Sequence, residues 1–163
     1  MSTVALIVAL ILTLIWIVLP KNSARPEKPS QANLSERIPV HPMHWPPLGD
    51  YEFEIVGESN YQQAIAKIAG YHGTHSANKH CIASLIPEDD NPHDKSAVAV
   101  EIDGSTVGYL SREDARSFRR RLGRKGLSGQ VTTCDALIVG GGTRKNGQRL
   151  HYGVRLDIKP FDR

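Results

Sequence analysis

The chain has 163 residues, enough for one domain with a real core plus appendages. Its two cysteines, Cys81 and Cys134, allow no more than one disulfide, so a cysteine-stapled scaffold is excluded and two small buried side chains are the preferred reading. The net charge of +3 hides a split: residues 50–109 carry 3 Lys+Arg against 10 Asp+Glu, or −7, and residues 110–163 carry 13 against 5, or +8. Such a basic half either suits a polyanion such as nucleic acid or is a solvated face.

Val4 to Leu19 is apolar except for Thr13. With Met1 to Thr3 it makes a helix of roughly 28 Å, which just spans a hydrocarbon core of about 30 Å. No Lys or Arg precedes this run, whereas Lys21, Arg25 and Lys28 follow it. A cleaved secretory signal wants the opposite arrangement. The expectation is an uncleaved transmembrane helix over residues 1–20, with the C-terminal domain in the cytoplasm. Residues 21–49 read as a Pro-rich linker, holding Pro26, Pro29, Pro39, Pro42, Pro46 and Pro47. Trp45 is expected to pack on the domain edge.

The folded domain is expected over residues 50–160. Tyr51, Phe53 and Ile55 alternate with Glu52 and Glu54, which predicts a half-buried strand ended by Gly57. Asn60 with Gln63 has capping-box spacing, and Ala64, Ile65, Ile68 and Ala69 line one side of the helix that follows. Tyr71 to Lys79 reads as a loop and His80 to Pro87 as a second strand. Asn91-Pro92-His93-Asp94 is a rigid turn, because Pro92 fixes φ and both Asn91 and Asp94 can accept bonds from nearby backbone amides. Val98 to Ile102 alternates as a strand, Asp103-Gly104 suits a tight hairpin turn, and Val107 to Leu110 returns.

Ser111 with Asp114 predicts a second capped helix running to Leu122, with Gly123 placed to stop it. Ala115, Phe118 and Leu122 share one face, and Arg112, Arg116, Arg119 and Arg120 share another arc. Ser128 to Val139 and Leu150 to Ile158 read as strands joined by a flexible basic loop, Gly140 to Gln148. Its Gly triplet lacks the Gly-Lys-Ser/Thr ending of a phosphate loop. Two helices among about six strands, with no regular alternation, predict a mainly β, antiparallel barrel.

Three segments together carry a family resemblance. They are Phe53-Glu54-Ile55-Val56-Gly57, the run from Asp90 to Val100 built on Asn91-Pro92-His93-Asp94, and Val107-Gly108-Tyr109-Leu110-Ser111-Arg112-Glu113. This pattern resembles the HIRAN domain, a module found at the front of some DNA-remodelling ATPases and also alone in bacterial proteins. The resemblance covers about residues 51–158 and implies an OB-like β-barrel with two helices. It also implies capture of the 3′ end of single-stranded DNA. In that role His93 would contact the terminal nucleotide and Asp94 would accept a hydrogen bond from the 3′-hydroxyl. Tyr109 stands where the family places a DNA-contacting His. An Arg-Tyr pair of the family falls on Ser59 and Asn60 here, with Tyr61 next.

By turn chemistry alone, Asp94 is a cap and His93 an exposed loop residue. The arginine arc is a solvated face or a phosphate contact surface. His72, His75, His80 and Cys81 form the cluster with metal-ligand chemistry, but they lack the tight pairs of a structural zinc site, so no cofactor is expected and zinc is the alternative. Glu88, Asp89, Asp90 and Asp94 keep a metal-dependent hydrolase in view. No nucleophile-base-orienter set or Walker motif is present. The expected function is binding of single-stranded DNA or its 3′ ends from a membrane tether. The other reading is a membrane-tethered protein-interaction adaptor.

Overall fold

The computed structural model describes residues 41–161. The expected transmembrane helix and the linker up to residue 40 lie outside the described residues. Among those described, the elements are β1 (Phe53–Glu54), a 3₁₀ turn (Glu58–Asn60), α1 (Gln62–Ala69), β2 (Ala77–Pro87), β3 (Val98–Ile102), β4 (Ser105–Tyr109), α2 (Arg112–Arg124), β5 (Thr132–Gly140) and β6 (Tyr152–Leu156). The strands form one antiparallel sheet in the order β1-β6-β5-β2-β3-β4. A mainly β domain with six antiparallel strands and two helices is therefore what the sequence folds into.

The sheet curls until its two edges meet. Val56, just past β1, donates to the Tyr109 carbonyl at the end of β4 at 2.8 Å and accepts from the Tyr109 amide at 2.8 Å. Gly108 makes this approach possible. A Cβ there would lie 2.7 Å from Ile55 Cδ1 and 2.8 Å from the Val56 carbonyl oxygen. The β3–β4 turn has the positive φ values expected of its sequence, 50° at Asp103 and 71° at Gly104. A register shift between Val100 and Glu101 then leaves Tyr109 directly opposite Ala99. Paired residues share a face, so Tyr109 stands with Ala99, Ile86 and Val131 in a small cluster apart from the main core.

The main core lies inside the curl. Leu85, Val98, Val100, Ile138, Val154 and Leu156 come from the strands, and Ala115, Phe118 and Leu122 from the predicted apolar face of α2. The cap of α2 forms as expected, with Ser111 Oγ accepting from the Asp114 amide at 3.2 Å. Its end is displaced from the expected position. Gly123 stays helical, and Gly126 supplies the left-handed residue while the Leu127 amide donates to the Leu122 carbonyl at 2.9 Å.

Other boundaries also shift. The strand expected over Tyr51–Val56 is laddered only at Phe53–Glu54: Tyr51 takes φ 49° before it, and Val56 after it pairs with Tyr109 instead of β6. β2 starts at Ala77, so part of the expected 71–79 loop is strand. The 128–139 strand starts only at Thr132, and the last strand is confined to Tyr152–Leu156. No Asn60–Gln63 capping box forms. Tyr61 is the N-cap of α1, without a side-chain cap. Gln62 instead joins the helix to β6, donating to the Tyr152 carbonyl at 3.0 Å and accepting from its amide at 2.8 Å.

The folded unit also begins earlier than residue 50. Met43 accepts from the Thr133 amide at 2.9 Å and Trp45 donates to its carbonyl at 2.8 Å, a parallel pairing beside β5. Trp45 is core rather than edge, only 6% exposed, and its indole donates to Thr132 Oγ1 at 2.9 Å. Its ring meets Phe118, which meets Phe161, which meets Phe53.

Candidate functional site

The turn after β2 is built by its own side chains. Asn91 Oδ1 accepts from the amides of His93 at 2.9 Å and Asp94 at 3.1 Å. Asp94 Oδ1 accepts from the Ser96 amide at 2.8 Å. Asn91 Nδ2 donates to Glu88 Oε2 at 2.7 Å. These are the backbone-mimicking bonds that Asn and Asp make in turns. They leave His93 exposed at the tip and Asp94 partly buried beneath it.

Arg119 fastens this turn to α2. Its guanidinium reaches the Ser96 carbonyl at 3.0 Å, the Ala97 carbonyl at 3.1 Å and the Asp89 carboxylate. Arg119 thus faces the turn rather than open solvent. The rest of the expected arc stays exposed: Arg112, Arg116 and Arg120. Arg116 donates to the Arg112 carbonyl and Arg120 to Ser117 Oγ. Arg112 brings its Nε to 3.9 Å from Asp94 Oδ2. One oxygen of Asp94 is therefore held by the loop, and the other faces a cation and solvent.

Tyr61 and Tyr109 meet with ring centroids 6.3 Å apart and tilted by 45°. Burial, the nearby Glu88 charge and hydrogen bonding with Tyr61 and Glu88 push the Tyr109 phenol well above its ordinary value. Tyr109 therefore stays protonated and can donate. The sequence places Glu88 only in an acidic run suited to a metal-dependent hydrolase. Its carboxylate accepts from Asn91 of the turn, and its charge is close enough to help raise the Tyr109 phenol. Asn60 is exposed on the 3₁₀ turn just before Tyr61. No family model, curated protein or solved structure matches the chain.

Two of the four metal-type residues, His72 and His80, have other partners. His72 bonds the His75 carbonyl at 2.6 Å and Tyr152 Oη at 2.8 Å, and His80 bonds Tyr51 Oη at 3.1 Å. Among the described residues, no group of three metal-ligating side chains is assembled. The acidic run is dispersed among separate partners: Glu88 on Asn91, Asp89 on Arg119 and Asp94 on Ser96. Both cysteines are free thiols. Cys134 is buried as expected and burial pushes it up to about 12, while Cys81 is only half-buried and also raised by burial. Neither has the lowered pKa of a reactive thiolate.

Proposed function

We propose that this chain carries a HIRAN-like, OB-like barrel that binds single-stranded DNA at its 3′ end. The observation that supports it best is the turn itself. His93 and Asp94 are fixed at a rim by Asn91 and Arg119, and Arg112 stands beside the one carboxylate oxygen that the loop does not hold. In this reading the exposed imidazole stacks on the last base. Asp94 accepts from the 3′-hydroxyl, and the Tyr61–Tyr109 pair flanks the nucleotide. Arg112, Arg116 and Arg120 hold phosphates without reading sequence.

A carboxylate accepts hydrogen bonds and repels phosphate, so Asp94 favours a 3′-hydroxyl over a 3′-phosphate. Fluorescence anisotropy of the full chain with oligonucleotides differing only at the 3′ end tests this. Asp94→Ala should abolish the preference, at a cost of roughly 1–3 kcal/mol for the hydroxyl end. Arg116→Ala with Arg120→Ala should weaken every strand and flatten the salt dependence. An unchanged hydroxyl-to-phosphate ratio in Asp94→Ala would reduce Asp94 to a turn cap and favour the adaptor reading.

A further inference from the structure

A second feature lies between α1 and the β5–β6 hairpin. A cavity of about 280 Å³ is lined there by Gln62, Gln63, Ala66, Arg149, Leu150, His151 and Tyr152. That volume falls just short of the roughly 300 Å³ at which ligand pockets begin, and it suits a single phosphodiester rather than a whole ligand. Its walls come from two stretches, residues 59–87 and 136–156, that contain no Asp or Glu at all. Arg149 is exposed at the wall and its side chain donates to Tyr152 Oη at 3.3 Å. Among the described residues, no ion pair joins it to a carboxylate.

The guanidinium is nevertheless positioned. His72 bonds the His75 carbonyl through Nδ1, which fits a proton on that nitrogen and leaves Nε2 to accept from the Tyr152 hydroxyl. The Tyr152 oxygen is then turned to accept from Arg149. Tyr152 itself is seated against Gly141, where a Cβ would lie 2.1 Å from the ring. The Gly triplet, expected to be a flexible loop, is thus a packing seat that sets the hairpin's base. Arg144 and Lys145 sit exposed at its tip.

We propose that this cavity is an anion subsite that takes a phosphodiester of a bound single strand, with Arg149 as its main contact. Tyr152 and His72 act as positioning residues. The proposal rests on the nucleic-acid reading above and extends it to the body of the strand. A guanidinium that no described carboxylate pairs, at the wall of a cavity lined without acids, is the chemistry that recognises phosphate.

The test uses the full chain and labelled oligothymidylates of two and eight nucleotides. Arg149→Gln should leave the two-nucleotide strand and the 3′-hydroxyl preference unchanged. It should weaken the eight-nucleotide strand about tenfold, the loss expected for one charged hydrogen bond. The slope of log affinity against log salt should fall by about 0.7. Arg149→Lys keeps the charge and should restore that slope. Wild-type affinity of Arg149→Gln for the long strand would overturn the subsite and leave the end reading standing. Absence of binding by the wild type at both lengths would overturn both. Displacement of the long strand by micromolar inorganic phosphate would make this a free-phosphate site and overturn the strand assignment.

Discussion

Asp157 is buried just past β6, and its carboxylate accepts from the amides of Leu48 at 3.0 Å and Gly49 at 2.9 Å. Burial alone would raise its pKa. Backbone bonds from Gly49, Leu48, Asp50 and Tyr51 outweigh burial and hold it below the ordinary 3.8. Because the folded value lies below the unfolded one, the stabilisation is fully present above the unfolded value. It is lost as pH falls through the folded one. Asp157→Asn should cost about 1.5–3 kcal/mol at neutral pH, the range for hydrogen bonds to a charged group. Urea unfolding of variant and wild type at neutral pH and at pH near 3 checks it: the difference should shrink in acid. A gap that does not change with pH would mean that the carboxylate's charge contributes nothing. Sequence offered no sign of this residue's role, because its partners lie more than a hundred positions away.

At the scale of elements, α2 and the 88–97 turn act together through Arg119. Removing its guanidinium leaves the Ser96 and Ala97 carbonyls and the Asp89 carboxylate without that donor. Arg119→Met keeps the stem and should destabilise the fold by roughly 1–3 kcal/mol. Amides of His93 to Ser96 should lose protection from hydrogen exchange, and 3′-end selectivity should fall with them. Unchanged protection in that turn would show that Asn91 alone holds it. The turn was legible in sequence because Asn91, Pro92 and Asp94 act on neighbouring amides. The same holds for Asp103-Gly104 and for Ser111, whose bonds stay within a few residues. Helix periodicity groups Arg119 with Arg112 and Arg116, and only the packed loop shows that its guanidinium points toward the 88–97 turn. The nearness of Glu88 to Tyr109 and the seat at Gly141 were not legible for the same reason. Each is defined by a partner on another element.

For the whole molecule, the acidic and basic halves of the sequence do not map onto separate bodies, since β1 pairs with β6 and β2 with β5. The charge that follows the apolar run of residues 4–19 predicts a single-pass protein with this domain on the cytoplasmic side. A reporter fused after Arg163, read by protease accessibility in intact and opened cells, checks the orientation. A reporter cleaved in intact cells would reverse it. The boundary near Met43 was not legible, because its Pro-rich composition is that of a linker and only Thr132 and Thr133 make it part of the domain.

The contacts that close the domain join stretches far apart in the order of synthesis. Phe53 pairs with Leu156, Gln62 with Tyr152, and Gly49 with Asp157. A nascent chain that has not reached Tyr152 holds the β3–β4 hairpin and α2, whose bonds are local, but lacks every one of these partners. Contacts so distant along the chain are entropically expensive to form early. The β3–β4 hairpin and α2 should therefore form ahead of the Phe53, Gln62 and Gly49 contacts, while Val56, whose partner Tyr109 lies in β4, does not wait for β6.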